Sequence, residues 1–316
     1  MLKKKIVFLL GPTGVGKSAA AINLAKKINA GIVSCDSMQV YRKMNIITSK
    51  VTPAQAKEVK HYLLNIVDPG KEYNAAQYRR DALAACDKIF RQGKIPLFVG
   101  GTGLYYSAVV DGLFPAIPRD RRIRARLEKQ AKEKGGSYLF RKLLRIDCDA
   151  AGRIHPHDTR RVIRALEVYL KTGRRISELQ REREGLSKEY LVAALGLDLE
   201  RNLLYRRIDE RVDAMFERGL VCEVKKLLKD RLSLTARHSI GIPELKGYFA
   251  GRYDLQEARR LIKRNSRHYA KRQLTWFRND GRVRWIEVGD KDSPEKVAAR
   301  SYRALRSLGG EWKKRF

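Results

Sequence analysis

Over its first third the chain alternates short, mostly apolar runs with longer stretches of helical period. Residues 6–10, 32–35, 62–67 and 95–99 lack the polar alternation of a half-exposed strand, so they predict strands buried on both faces. Between them, residues 18–28 and 75–91 space their apolar positions as helices do. Strands alternating with helices predict a doubly wound parallel α/β sheet, whose ligands sit beyond the carboxyl ends of the strands. After Gly112 the segment Phe114-Pro115-Ala116-Ile117-Pro118 breaks the alternation, and residues 114–190 are nearly all helix-forming and rich in Arg. That block predicts an inserted all-helical subdomain. Residues 191–197 read as a strand returning to the sheet, followed by helices at 201–218, 220–229 and 254–278 and a last strand near Val283-Arg284-Trp285. The expected division is therefore a core of 1–113 with 191–316 and an insertion of 114–190.

The first strand runs directly into Gly11-Pro12-Thr13-Gly14-Val15-Gly16-Lys17-Ser18, a complete G-x-x-x-x-G-K-S phosphate loop, which makes the core P-loop NTPase-like. Its glycines permit the torsions and close backbone approach that a phosphate needs. The following helix presents unpaired N–H groups and the positive end of its dipole. Lys17 supplies a point charge for the distal phosphates, and the Ser18 hydroxyl is a ligand for Mg²⁺. The commonest cargo of such a loop is a nucleoside triphosphate.

Two further motifs stand at strand ends and should converge on the loop. One is Asp36-Ser37-Met38-Gln39-Val40-Tyr41-Arg42, and the other is Gly100-Gly101-Thr102-Gly103-Leu104-Tyr105-Tyr106. Asp36 is either a general base, an outer ligand of a phosphate-bound metal, or a turn aspartate. Thr102 either donates to a leaving-group oxygen or merely sits in a tight glycine turn. The strand at 95–99 lacks the terminal Asp of a Walker B motif, which weakens an ATPase reading. A loop without that carboxylate can instead hold diphosphate as a leaving group.

Charge narrows the partner. The 316 residues carry 68 Lys and Arg against 35 Asp and Glu, a net +33, and such an excess suits a polyanion. It concentrates in three places: Arg119, Arg121, Arg122, Arg124 and Arg126; Arg160, Arg161 and Arg164; and the helix from Arg259 to Arg278. Separated clusters predict an extended backbone-tracking nucleic-acid surface. No stretch approaches the roughly 18 apolar residues of a membrane span, and the apolar run after Lys3-Lys4-Lys5 is too short for a signal peptide, so the cytoplasm is expected. Cys35, Cys86, Cys148 and Cys222 are too far apart for a zinc knuckle and predict reduced, mostly buried thiols.

The blocks Gly-Pro-Thr-x-x-Gly-Lys-Ser, Asp36-Ser37-x-Gln39-x-Tyr41-Arg42, His61-x-Leu63-Leu64 before Asp68-Pro69, Gly100-Gly101-Thr102-x-Leu104-Tyr105, Ile154-His155-Pro156-x-Asp158-x-x-Arg161 and Lys271-Arg272-Gln273-x-Thr275-Trp276 together resemble the tRNA dimethylallyltransferases over nearly the whole chain. The resemblance implies transfer of a dimethylallyl group from its diphosphate to N6 of the adenosine at tRNA position 37, beside the anticodon, with Mg²⁺ as cofactor. It makes Asp36 the base, Thr102 the hydrogen-bond partner of the diphosphate near the breaking bond, and Lys17 and Arg211 its cations. Residues 11–18 would then bind the diphosphate, with Ser18 on the metal. It also assigns tRNA contact to Asp36, Ser37, Met38, Gln39, Thr102, Arg124, Arg160, Arg161, Val162, Ile163 and Arg164. The chain departs from many relatives at Gly241-Ile242-Pro243-Glu244, onto which no tRNA contact carries. No zinc-finger extension of the eukaryotic kind is seen, so a bacterial-type monomer without zinc is expected. A P-loop kinase of a small metabolite is the alternative, and it leaves the basic insertion without a purpose.

Overall fold

Residues 3–114, 117–186 and 189–309 are described by the computed structural model. Six strands form one sheet: β1 Lys4–Leu10, β2 Ala30–Cys35, β3 His61–Tyr62, β4 Ile95–Gly100, β5 Tyr190–Leu199 and β6 Val283–Val288. Their order is β3-β2-β4-β1-β5-β6, and every pair is parallel. The uninterrupted apolar run of β1 is explained by burial on both sides. Ile6, Phe8 and Leu10 enter one core, while Val7 and Leu9 enter the other.

The strand expected at 62–67 is mostly absent. Leu63 and Asn65 take φ values of 62° and 56°, which carries the chain out of extended conformation after two residues. Beyond Tyr62 of β3, which pairs with Val33 of β2, what survives is a single bridge between Tyr41 and Val67. Four helices among the described residues also went unread in the sequence: Pro53–Glu58, Gly103–Val110, Ile242–Phe249 and Pro294–Arg306. Ile242–Phe249 contains the divergent Gly241-Ile242-Pro243-Glu244 segment at its start, with Ile242 and Glu244 buried, so that segment is a helix N-terminus seated on the core. Pro294–Arg306 lies against the helix Lys17–Lys27 and buries Val297, Ala298 and Leu305. Two cysteines are exposed, Cys148 and Cys222, where mostly buried thiols were expected.

The chain divides into two compact units, Met1–Val110 with Leu186–Phe316, and Asp111–Gly185. The second ends before residue 190 because Tyr190 already pairs with Lys4 in the sheet. It consists of the helices Arg121–Lys134, Gly136–Ile146, Cys148–Ala151, Thr159–Thr172 and Ile176–Arg181 around a core of its own. Val162 and Ile163 belong to that core, at 0% and 5% exposure, so the expected tRNA contact at these two positions is corrected. On an amphipathic helix the side chains between exposed arginines turn inward. Arg124 and Arg164 both pair with the fully buried Glu167, and Arg164 also donates to the carbonyl of Ile117. Arg119, Arg121, Arg122, Arg126 and Arg160 are exposed, and Arg161 pairs with Asp158, the residue that caps its helix.

The third basic cluster also differs from expectation. On the helix Leu255–Arg278, Arg267 grips Asp209 with both carboxylate oxygens, at 2.6 and 2.7 Å, and Lys263 meets Asp213 at 2.7 Å. Arg278 meets Asp198 at 2.9 Å. Much of this charge ties the helix to Arg201–Glu217 and to the end of β5 instead of standing ready for an external polyanion.

Candidate active site

Registry levels the strand ends. Leu10 pairs with Gly100, and Gly100 with Cys35, so the three motifs begin at one edge of the sheet. The phosphate loop leaves β1 through Gly11, whose φ is 146°. A Cβ there would lie 2.8 Å from the Leu197 carbonyl oxygen. At Gly14, with φ 85°, it would lie 2.7 Å from Ile208 Cγ1. The helix Lys17–Lys27 then starts from Gly16 with no side-chain cap, so its first N–H groups remain free for an anion. Val15 turns its side chain into the core beneath the loop, and only its backbone can serve a phosphate.

Lys17 Nζ donates to the carbonyls of Gly11 and Pro12, at 2.8 and 2.6 Å. Desolvation under the loop, with help from the Arg211 guanidinium, lowers its pKa to about 7. Arg211, from the helix Arg201–Glu217, donates through Nη1 to Thr13 Oγ1 and through Nε to Ser49 Oγ, both at 2.9 Å. Desolvation also pulls its pKa below the usual arginine range.

Gln273 joins two of the motifs. Its Oε1 accepts the Thr13 N–H at 2.8 Å, and its Nε2 donates to the Gly101 carbonyl at 2.9 Å. Sequence reasoning placed Gln273 in a motif but gave it no role, because the helix around it reads as basic surface. A Cβ at Gly101 would come within 1.9 Å of Gln273 Nε2. Gly101→Ala should therefore break both bonds of this clamp and destabilise the fold by roughly 1–3 kcal/mol. The check is a lowered thermal midpoint together with a raised KM for the phosphate ligand; an unchanged KM would mean that the clamp does not shape the loop.

Asp36 serves both readings left open by the sequence. Its Oδ1 accepts the N–H groups of Met38 and Gln39, at 2.8 and 3.3 Å, as a turn aspartate does. Those bonds engage Oδ1 and leave Oδ2 for the cavity wall that Asp36 lines. Thr102 Oγ1 accepts the Ser37 N–H at 3.0 Å, and the Thr102 N–H donates to the Cys35 carbonyl at 3.1 Å, which knits the two strand-end motifs together. Gln39 is used structurally, accepting from Ser34 Oγ and donating to the Thr48 carbonyl. Burial pushes the Cys35 thiol up to about 12, so it is an inert strand-end residue.

Two cavities meet here. One, of about 360 Å³, is lined by the phosphate loop, Lys17, Ser18, Gly101 and Arg207. The other, of about 250 Å³, is more apolar, with Met38, Ile47, Val212, Met215 and Ile262 in its wall. Thr13, Asp36, Arg211 and Tyr269 line both. Tyr269 had no role in the sequence reading; burial raises its phenol pKa and keeps it neutral, and the Arg272 guanidinium lies over its ring. A charged group and a greasy one could thus lie on either side of a single carboxylate.

The donor set near the loop suits Mg²⁺. Ser18 offers an exposed hydroxyl on the first cavity and Asp36 a carboxylate oxygen, both hard ligands. Among the described residues no group of three or more His, Cys, Asp or Glu side chains gathers to hold a metal alone. A cation shared between Ser18 and substrate phosphates is the arrangement this allows.

Comparison with known proteins decides the family. The IPP transferase model matches residues 39–280, and the isopentenyl transferase model matches residues 4–68. A tRNA dimethylallyltransferase of Carboxydothermus hydrogenoformans is 46% identical over 298 residues, covering 94% of this chain and 96% of its own. The chain belongs to the tRNA dimethylallyltransferase family. Among solved structures, the tRNA isopentenylpyrophosphate transferase of Bacillus halodurans superimposes with a TM-score of 0.72 at 39% identity, covering 99% and 98% of the two chains. A eukaryotic dimethylallyltransferase acting on tRNA gives 0.76 at 30% identity, covering 96% of this chain and 79% of that one. The tRNA dimethylallyltransferase family is a family of prenyl transferases, so the kinase alternative is set aside.

Proposed function

We propose that this chain transfers a dimethylallyl group from dimethylallyl diphosphate to N6 of adenosine 37 of tRNA, releasing diphosphate. The observation that carries the reading is the position of Asp36, which lines both the phosphate-loop chamber and the second one, with Thr102 bonded to the adjoining Ser37. An allylic carbon needs a stabilised leaving group more than a strong nucleophile, and the loop supplies that stabilisation.

In this reading the C–O bond between the allylic carbon and the diphosphate breaks as the N6–carbon bond forms. The N6 proton passes to Asp36 Oδ2. Lys17, Arg211 and the free amides of the loop take up the charge developing on the diphosphate, and Thr102 Oγ1 donates toward the oxygen that leaves. Ser18 would hold Mg²⁺, which when bound adds neutralising charge on the phosphates. The target base reaches Asp36 only if it leaves the stack of its loop. The exposed arginines Arg119, Arg121, Arg122, Arg126 and Arg160 supply phosphate grip for the anticodon arm. No helix is long and apolar enough to cross a membrane among the described residues. A monomer working in the cytoplasm fits this reading.

Incubation with unmodified tRNA, Mg²⁺ and dimethylallyl diphosphate, followed by nucleoside mass analysis, tests it. The expected product is one adenosine per tRNA carrying a five-carbon prenyl mass, mapped beside the anticodon. Folded protein that binds tRNA yet leaves every adenosine unmodified would overturn the proposal.

A further inference from the structure

Residues 45–50 form a strap along the walls of both chambers: Ile47 and Thr48 line the second one, and Ser49 lines the phosphate-loop one. A single carboxylate fastens one end of it. Glu223, on the helix Leu220–Leu227, accepts the N–H groups of Asn45 and Ile46 through Oε2, at 3.0 and 2.9 Å, and that of Ile47 through Oε1 at 2.9 Å. Lys50 fastens the other end, its Nζ donating to the Tyr41 carbonyl and to Asn65 Oδ1. Glu223 itself lines neither chamber.

Ser49, held between these anchors, has a φ of 44°. That left-handed conformation is costly for a residue with a side chain and persists where its surroundings hold it. Its Oγ accepts the Arg211 Nε, and Arg211 Nη1 reaches Thr13 Oγ1 in the phosphate loop. A continuous chain of hydrogen bonds therefore runs from Glu223 through the strap to the cation at the junction of the two chambers. Bonds to an ionised carboxylate are among the stronger ones a protein makes, so three of them give a firm anchor.

We infer that Glu223 is a positioning residue for diphosphate binding: by pinning the backbone of residues 45–47 it keeps Ser49 where it aims the Arg211 guanidinium at the phosphate loop. The inference rests on the diphosphate reading of the site. An aimed guanidinium binds its anion without first losing side-chain freedom; a loose one must be ordered during binding.

A double-mutant cycle tests this, with inorganic diphosphate binding by calorimetry and the KM for dimethylallyl diphosphate as readouts. Glu223→Ala should weaken both by about tenfold, the scale of one lost charge-assisted hydrogen bond. Ser49→Ala should move them in the same direction. Glu223→Gln keeps one acceptor oxygen for Asn45 and Ile46 and should fall between wild type and Glu223→Ala. In an Arg211→Ala background Glu223→Ala should add almost nothing, because its effect passes through that guanidinium. A merely structural role would give equal losses with and without Arg211, and that additivity, or unaltered diphosphate binding in Glu223→Gln and Ser49→Ala, would overturn the inference. The binding arm stands apart from turnover: wild type that binds diphosphate but prenylates no tRNA refutes the proposed function, while the cycle still judges Glu223.

Discussion

Replacing Asp36 by Asn should lower kcat for prenyl transfer by about 10³, within the range a positioned general base contributes, while tRNA affinity changes little. Asparagine keeps an oxygen for the N–H groups of Met38 and Gln39, so the turn that Oδ1 organises survives. What disappears is the second carboxylate oxygen. Asp36→Ala removes the turn acceptor as well and should lose the same activity with an added loss of stability. Single-turnover rates on pre-bound tRNA separate chemistry from binding. A variant that binds tRNA poorly yet turns over bound tRNA at the wild-type rate would remove Asp36 from the chemistry and leave it as a binding residue.

Diphosphate binding at mildly alkaline pH should take up a proton, and Lys17 is the group that takes it. In the free protein desolvation and the neighbouring Arg211 lower its pKa to about 7, so above neutrality much of it is uncharged. A bound diphosphate favours the charged form and raises that pKa. The sign follows from linkage: the complex binds more protons than the free partners, so affinity is greatest below about pH 7 and falls as pH rises toward the raised pKa of the complex. Dimethylallyl diphosphate is the ligand for this measurement, because the last ionisation of its terminal phosphate, about pH 6 as in a phosphate monoester, lies below this window, whereas inorganic diphosphate keeps a further proton into the alkaline range. Lys17→Met should bind dimethylallyl diphosphate about a hundredfold more weakly, the scale of a lost charge-assisted contact, and its affinity should be flat between pH 7.5 and 9. Calorimetry in buffers of different ionisation heat measures the proton directly. Zero uptake by wild type at pH 8 would show that Lys17 is not the titrating partner.

Elements were legible wherever the chain decides locally. The helix expected at 75–91 stands at Ala75–Arg91, capped by Asn74 with Gln77 reaching back in a capping box. The phosphate loop was readable because its glycines are required by torsions and contacts that no other residue tolerates. The strand at 62–67 was misread for the opposite reason. Its apolar pattern is real, but Leu63 and Asn65 are turned by a bridge and hydrogen bonds to residues 39–41, which composition does not reveal.

The candidate site divides along the same line. Lys17, Asp36 and Thr102 announce themselves by residue type at a strand end or within a motif. Gln273, Ser49 and Glu223 do not, since each acts through a partner between 162 and 260 positions away, and Tyr269 only shares its cavity wall with the distant Asp36. The same distance explains the arginines. Sequence counts a charge without its counter-ion, so Arg267 read as open to a polyanion until Asp209 was found against it. By itself the sequence determined the chemistry of the phosphate loop, the parallel alternating architecture and the excess of positive charge, because these follow from torsion, periodicity and composition. Only the tertiary structure decided which carboxylate oxygen is spent on a turn, which cations are already neutralised and which remote residues aim the guanidinium at the loop. Those are matters of distance between groups far apart in the chain, and a linear order of residues does not contain them.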